Sequence, residues 1–193
     1  MKLVQNVGFN DGKYPTKINC IRLHQYSIWR SMLYRCYSEK HHIKNPSYAL
    51  CSVSDNFKNY SYFYEWYAEN NKNQNKIMHL DKDLLIKGNK LYSEDTCLFL
   101  PQEINGTIHN KDSCRGKYPI GVYWATKMGK FGSCVRFKGR NQALGYFDNE
   151  VDAFNAYKEA KEFRIKQLAD MYKNDITDKA YNALMNYTVE ITD

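Results

Sequence analysis

Basic side chains that could bind nucleic acid are concentrated in one stretch of the sequence, residues 115–147. This stretch contains no Asp or Glu, and it carries the cations Arg115, Lys117, Lys127, Lys130, Arg136, Lys138 and Arg140. Arg side chains can hydrogen-bond to guanine edges, and Lys side chains can hold phosphates. The pattern therefore predicts a DNA-binding segment. A solvated basic surface without a ligand is the alternative that the pattern leaves open.

Three short strands are predicted to carry these cations. The runs 121–125, 131–138 and 142–147 are of strand length, are rich in apolar and aromatic residues, and are separated by glycine-containing turns. The segment is therefore expected to form a small antiparallel sheet.

A long helix is predicted to follow over residues 149–172, with Asp148 as its N-cap. Its apolar residues recur at helical spacing and define an inner face formed by Val151, Phe154, Ala156, Tyr157, Ala160 and Phe163. Acidic residues reappear only in and just before this helix, so helix and sheet are expected to be charge-separated.

One face of this sheet must pack on the helix, and the other face is free. Because side chains alternate along a strand, Val135 and Phe137 are expected to face the helix. Cys134, Arg136 and Lys138 then lie on the free face, which is basic. A basic free face is the electrostatic pattern of a nucleic-acid-binding surface.

Two helices are predicted in the first half of the chain. The first begins at Ile21 and lies in a window, residues 12–38, that contains no acid. Its cations Arg30 and Arg35 could follow a phosphate backbone or form a solvated helix face. The second helix spans 57–70, and its aromatic residues are expected to face the core.

The region 77–110 is predicted to contain short strands and a short helix. Residues 77–80 and 84–86 resemble two strands or a hairpin, and 97–100 is another apolar run. Pro101 suits the first position of a helix, and Asn105 lies on that helix. The expected fold class is therefore α+β.

Composition narrows the class of protein. With 43% hydrophobic residues in 193, the chain is not expected to be disordered. A net charge of +7 and a pI of about 9.0 favour nucleic acid over an anionic membrane as partner. The sequence offers no transmembrane stretch and no signal peptide, so a cytoplasmic protein is expected. The 6 cysteines form no C-x-x-C pair, so no zinc site is predicted.

Residues 118–172 resemble the APETALA2/ethylene-response-factor DNA-binding domain, especially the versions appended to phage and mobile-element nucleases. The matching pieces are Gly121-Val122-Tyr123-Trp124, Gly129-Lys130-Phe131, Leu144-Gly145-Tyr146-Phe147, Glu150, and Ala153-Phe154-x-Ala156-Tyr157-x-x-Ala160. The resemblance implies that the sheet lies in the DNA major groove with the helix behind it.

The same resemblance places a set of residues at or near the bases: Tyr123, Ala125, Arg136 and Arg140, with Trp124 and Lys138 close by. Lys127 and Lys130 belong to the same basic surface. Several positions that hold Arg or Trp in plant members are instead Tyr123, Ala125, Met128 and Ala143 here. A plant target sequence therefore cannot be transferred to this chain.

Residues 77–110 resemble an HNH nuclease segment, a ββα element often found before such a domain. The matching pieces are Leu80-Asp81-Lys82-Asp83, Asn89, Glu94-Asp95-Thr96-Cys97-Leu98 and Pro101-Gln102-Glu103-Ile104-Asn105. The resemblance implies that Asp81 and Asn105 bind Mg²⁺ or Mn²⁺, that Lys82 occupies the position of the general base, and that Asn89 stabilises the loop. Trp29-x-x-Met32-x-x-Arg35-Cys36-Tyr37 is also similar to HNH-like phage proteins.

Lys82 is a poor replacement for a histidine base, because its pKa of about 10.4 leaves it protonated at neutral pH. It could instead contact a phosphate, or the active site could be lost. His79 shares a strand face with Asp81 and is the alternative base, unless its role is structural. His109 is a weaker candidate. Asp81 and Asp83 could equally form a salt-bridged turn.

We predict three segments: an HNH-like half over 1–112, a DNA-binding domain over 113–174 and a tail over 175–193. The expected function is that of a phage-type homing endonuclease, which binds double-stranded DNA and nicks or cleaves it with a divalent metal. A catalytically inactive DNA-binding regulator is one alternative. A phage protein that binds and inhibits a host protein is the other.

Overall fold

The computed structural model describes residues 3–109, 116–137 and 139–193. Within these residues the fold is mixed α+β, and its small sheets include a three-stranded antiparallel sheet packed against a helix. The chain divides into two units. The first comprises Met1–Gln102 and Asn174–Ala180, and the second comprises Glu103–Lys173 and Tyr181–Asp193. Among the described residues, no helix combines the length and apolar character needed to cross a bilayer.

The helices in chain order are α1 (His24–Tyr37), α2 (Glu39–Lys44), α3 (Asp55–Lys58), α4 (Tyr60–Asn70), α5 (Gln102–Ile108), α6 (Glu150–Met171) and α7 (Asp178–Met185). The strands are β1 (Lys17–Ile18), β2 (Ile21–Arg22), β3 (Ser52–Val53), β4 (Met78–Asp81), β5 (Leu91–Tyr92), β6 (Leu98–Pro101), β7 (Val122–Ala125), β8 (Lys130–Phe137) and β9 (Arg140–Phe147). β1 pairs with β2 and β4 with β6, both antiparallel, whereas β3 and β5 are parallel.

Aromatic side chains form the core of the first unit, as their helical spacing predicts. The buried aromatic residues include Trp29, Phe57, Tyr60, Phe63, Trp66, Tyr67 and Phe99. The Trp29 indole N–H donates a 2.7 Å hydrogen bond to the carbonyl of Phe57, so burial of this ring leaves no unpaired donor. Helix α1 is thereby tied to α3.

The helix predicted over 57–70 is interrupted at Asn59. Its side chain accepts a hydrogen bond from the Ser61 backbone N–H and caps α4. The backbone on either side of Asn59 pairs with Phe9 instead of continuing a helix. A long-range pairing therefore overrides the continuous helical pattern.

The first helix starts at His24 and not at Ile21. Residues Ile21 and Arg22 form a hairpin with Ile18 and Lys17. Asn19 and Cys20, at the turn, have φ values of 50° and 63°. This left-handed pair suits a tight two-residue hairpin turn. The prediction of a helix from Ile21 missed this turn.

The strand predicted at residues 84–86 is wrong. Asp81 ends β4, and its carboxylate accepts the backbone N–H groups of Asp83 and Leu84. These bonds turn the chain out of the strand direction. The partner of β4 is β6, the apolar run near residues 97–100, and α5 follows directly after Pro101.

In the second unit, α6 packs on one face of the sheet β7–β8–β9. Val135, Phe154 and Tyr157 are buried together, and the guanidinium carbon of Arg164 lies 4.3 Å from the Phe137 ring centroid. The prediction that Val135 and Phe137 face the helix is therefore confirmed.

A close approach of backbone to helix fixes this packing. Gly121 has a φ of 80°, and a Cβ at this position would lie 2.1 Å from the Tyr157 ring. A larger residue would be strained in its backbone and would collide with the core. Tyr157 is 5% exposed, and its burial raises its pKa to about 12.

The start of α6 corrects two predictions. Its N-cap is Asn149, whose side-chain oxygen accepts the Asp152 backbone N–H at 2.9 Å, and not Asp148. Val151 and Phe163 are 51% and 64% exposed, so they lie outside the inner face. The face in contact with the core runs instead through Ala153, Phe154, Tyr157, Lys161, Ile165, Leu168 and Ala169.

We predict that Asn149→Ala destabilises the first turn of α6 by about 1 kcal/mol, because an N-cap acceptor is lost. Amides in that turn should exchange with solvent about 5-fold faster, as measured by hydrogen–deuterium exchange. Asp148→Ala is the control, because among the described residues the contact of this side chain is an exposed ion pair with Lys130. A larger effect of Asp148→Ala would contradict the assigned cap.

Candidate nucleic-acid interface and carboxylate site

The face of the sheet opposite α6 carries two exposed tyrosines. Tyr123, Gly132 and Tyr146 lie side by side on β7, β8 and β9. The Tyr123 ring lies across Gly132, since a Cβ there would be 2.4 Å from it. Tyr123 and Tyr146 remain 38% and 47% exposed. Partial burial, with Tyr146 alongside, raises the pKa of the Tyr123 phenol and keeps it a hydrogen-bond donor.

Arg136 is exposed on β8, two positions along from Cys134 and directly opposite Asn141 of β9. Alternation places Arg136 on the same face as Gly132 and its two flanking tyrosines. We call the surface formed by Tyr123, Tyr146 and Arg136 the outer face. No acidic residue occurs in the described residues 116–137 and 139–147 around it.

Two further cations border the outer face. Lys127 is exposed in the turn between β7 and β8. Lys130 begins β8, and its ammonium lies 3.0 Å from a carboxylate oxygen of Asp148. Both members of this ion pair are well exposed, so the pair is weak and can be exchanged for a ligand phosphate.

Other residues that the family resemblance places near the bases lie elsewhere. Trp124 is opposite Phe131, on the side of the sheet that packs on α6, and the two ring centroids are 5.0 Å apart. Arg140 is opposite Phe137 and therefore shares its side of the sheet at the end of β9. Lys138 lies outside the described residues.

Two carboxylates lie close together at the end of β4 in the first unit. A carboxylate oxygen of Asp81 and one of Asp83 lie within 4.8 Å of each other. Asp81 is buried, and its Oδ1 accepts the backbone N–H groups of Asp83 at 3.0 Å and Leu84 at 2.7 Å. Carboxylate oxygens are the donors that Mg²⁺ and Mn²⁺ prefer, so this pair could hold a divalent cation.

Lys82 holds the loop that follows β4 by hydrogen bonds from its ammonium group. It is 6% exposed, and its ammonium donates to Asp83 Oδ1 at 2.6 Å and to the carbonyl of Asn89. The same nitrogen lies 5.8 Å from the centroid of the Tyr92 ring. Of the salt-bridged turn considered for Asp81 and Asp83, the structure shows the ion pair of Asp83 with Lys82.

Asn89 closes this loop through its side chain. Its amide nitrogen donates to the carbonyls of Lys82 at 2.9 Å and Leu91 at 2.6 Å. Its side-chain oxygen accepts the Leu91 N–H at 3.0 Å. We call residues 82–91 the clamped loop. Asn89 has no free group that would take part in proton transfer, and its contacts are those of a loop-stabilising residue.

His79 lies on β4, two residues before Asp81 and therefore on the same strand face. Burial lowers the pKa of its imidazole, and the nearby charges of Arg35 and His24 lower it further. His79 is thus neutral near pH 7 and can accept a proton.

Arg35 and Tyr92 belong to the surroundings of His79 and Lys82, and the sequence patterns did not place them there. The Arg35 guanidinium lies 5.6 Å from the Tyr92 ring centroid, and its Nε donates to the Ser31 carbonyl. Arg35 is therefore half-buried and not on an outer helix face, whereas Arg30 is exposed. Arg35 and Tyr92 come together through the pairing of β3 with β5. No local pattern in the sequence indicates this pairing.

Asn105 lies on α5, as predicted, and belongs to the second unit. Its side-chain oxygen is buried and has no hydrogen-bond partner among the described residues. On the same helix, Glu103 accepts hydrogen bonds from Arg164 at 2.7 Å and from the Tyr172 hydroxyl at 3.1 Å. These bonds join α5 to α6 within the second unit.

Among family models, curated proteins and solved structures, none matches this chain. The two family resemblances in the sequence stay predictions.

We predict that Asn89→Ala destabilises the first unit by about 1–2 kcal/mol, because it removes three hydrogen bonds, one of them part-buried and two exposed. Urea unfolding followed by tryptophan fluorescence measures this loss. Asn75→Ala, in an exposed loop of the same unit, should change stability by less than about 0.5 kcal/mol. A loss of stability in Asn89→Ala as small as that expected for Asn75→Ala would show that the side-chain bonds of Asn89 contribute no stability.

Proposed function

We propose that the protein binds double-stranded DNA through the outer face of its three-stranded sheet. The observation that carries this proposal is the combination of exposed Tyr123, Tyr146 and Arg136 on one face within a stretch that contains no acid. Cations attract the phosphate backbone, and aromatic and guanidinium groups can contact base edges.

The dimensions of the sheet support this proposal. Neighbouring strands are about 4.8 Å apart, so three strands span about 10 Å between their outer backbones. The major groove of B-DNA is about 12 Å wide and admits a narrow sheet. Arg136, on the central strand, would then face base edges, while Lys127 and Lys130 at the turn would contact phosphates.

We predict that Arg136→Ala weakens duplex binding by about 10-fold and reduces the slope of log K against log salt, because a cation and a base contact are both removed. Fluorescence anisotropy with a labelled duplex at several salt concentrations measures both quantities. Lys166→Ala removes an exposed cation of α6 and is the control. If Arg136→Ala changes neither affinity nor slope, the outer face is not the binding surface.

A second function, metal-dependent cleavage of DNA, is favoured by the approach of Asp81 and Asp83 at the end of β4, the strand that also carries His79. Asp81 and Asp83 would hold Mg²⁺ or Mn²⁺, which polarises a phosphodiester and stabilises its developing charge. His79 would take up a proton as its neutral imidazole. Lys82 and Asn89 would hold the clamped loop so that the two carboxylates keep their spacing.

We predict that the wild-type protein nicks supercoiled plasmid in the presence of Mg²⁺ or Mn²⁺ and that Asp81→Asn lowers the rate at least about 100-fold. The substitution removes the charge, but an amide oxygen can still accept the two backbone N–H bonds that end β4. Gel analysis of nicked circles gives the rate. His109→Ala, measured in parallel, tests the other histidine that the sequence offers.

Equal nicking by the wild-type protein and Asp81→Asn would exclude this carboxylate as a metal ligand. Absence of nicking by the wild-type protein, together with salt-sensitive duplex binding, would leave a DNA-binding protein without nuclease activity. The two functions are therefore separable, because the first is measured by binding and the second by cleavage.

A further inference from the structure

Three cations of the first unit lie outside both sites described above. Lys17 and Arg22 are direct partners across the hairpin β1–β2, and Arg30 is exposed on α1. Like charges directly opposite each other on a strand pair destabilise the pairing unless another charge compensates them. The hairpin therefore places two cations where an anion would stabilise it.

Within the described residues, none of these three side chains forms a salt bridge. Two other carboxylates of the first unit, one before β1 and one on α4, are bound to other groups. Glu65 accepts hydrogen bonds from Lys13 and Tyr14, and Asp11 accepts them from Ser61 and Asn59. Residues 12–38 contain no acid of their own, so no carboxylate from that segment can compensate the three cations.

Arg22 and Arg30 line a small cleft of about 310 Å³. All of its lining side chains can donate hydrogen bonds, and none is acidic: Gln5, Arg22, Ser27, Arg30, Ser31 and Tyr34. Two guanidinium groups with hydroxyl and amide donors match the oxygens of a phosphate group, which accepts charge-assisted and often bidentate bonds. A cationic ligand would be repelled by the two guanidinium groups.

The backbone around the cleft is held in uncommon conformations. Gln5 and Asn6 have φ values of 51° and 60°, in a turn closed by the bridge between Val4 and Gly8. A second left-handed pair, Asn19 and Cys20, joins β1 to β2 and sets Arg22 opposite Lys17. Non-glycine residues are uncommon in this region and occur preferentially at ligand sites and in tight turns. Both turns thus hold cleft residues in fixed positions.

We propose that this cleft binds a phosphate group, and that in the DNA complex the occupant is a backbone phosphate of the duplex. The DNA form of this inference rests on the proposed function. Arg22 and Arg30 bind the phosphate oxygens through their guanidinium groups, and the side chains of Ser31 and Gln5 donate further hydrogen bonds. The first unit then contacts the backbone, where no sequence information is read, and the outer face of the second unit reads bases.

The test is the salt dependence of duplex binding by the double variant Arg22→Gln/Arg30→Gln. If each Arg neutralises one phosphate, the slope of log K against log salt falls in magnitude by about 1.8 relative to the wild type. Lys40→Gln/Lys44→Gln removes the same charge from exposed positions of α2 and leaves the slope unchanged. Thermal unfolding of both double variants checks that each is folded.

A slope that is equal in the wild type and in Arg22→Gln/Arg30→Gln, while Arg136→Ala still weakens binding, overturns the inference and leaves the proposed function intact. An equal fall in both double variants also overturns it, because the effect is then one of net charge and not of the cleft. These two outcomes do not depend on whether the protein cleaves DNA.

Inorganic pyrophosphate separates the remaining cases. If the wild type binds no duplex, the proposed function fails. The cleft is then tested alone, by measuring how pyrophosphate shifts the unfolding temperature of the protein. A rise in the wild type that is absent in Arg22→Gln/Arg30→Gln assigns the cleft to a free phosphate-bearing ligand. No rise in either protein, with no duplex binding, overturns both proposals.

Discussion

The contact between Tyr157 and Gly121 determines which face of the three-stranded sheet is exposed. Only a residue without a Cβ lets the strand backbone approach the tyrosine ring this closely, and the φ of 80° at Gly121 suits glycine for a second reason. Val135 and Phe154 complete the same core. Because α6 occupies this face, Tyr123 and Arg136 are left on the other. The interface that we propose for DNA is thus a consequence of how the helix packs.

The carboxylate site depends on a different constraint, the hydrogen bonds of the clamped loop. Lys82 and Asn89 hold the chain after β4, and Asp81 orients its first turn. Asp81 thereby shares its negative charge with two backbone N–H groups, so a cation bound there receives less charge than from a free carboxylate. The site is held in place by the groups that also weaken it as a ligand set.

Much of the architecture could be predicted from periodicity. The strands β7–β9, the helix α6 and the aromatic core of the first unit follow patterns that tertiary contacts reinforce. Two details could not be predicted locally. Asn149 and Asp148 are adjacent residues that both suit an N-cap, and only the geometry of the preceding strand decides between them. Leu84 belongs to an apolar run of strand character, but a side-chain bond from Asp81 turns it away.

The candidate sites could be predicted from the sequence to a similar extent. His79 and Asp81 share a strand face by alternation, which is a local property that the sequence reveals. Arg35 lies on the far-separated helix α1, and its place beside Tyr92 follows from the pairing of β3 with β5. Such a position depends on contacts between residues distant along the chain. For the same reason, the opposite placement of Arg136 and Arg140 emerges only from the strand register.

The division of the chain into units has a consequence for the order in which they can be completed during synthesis. The first unit includes Asn174–Ala180, where Ile176 is 1% exposed and Asp175 pairs with Lys76. A ribosome makes this segment after the whole of β7–β9 and α6. The first unit therefore cannot finish folding until residues 174–180 have been made, although the rest of it precedes the sheet in the sequence. For the same reason, a single cut in the chain cannot separate the two units intact.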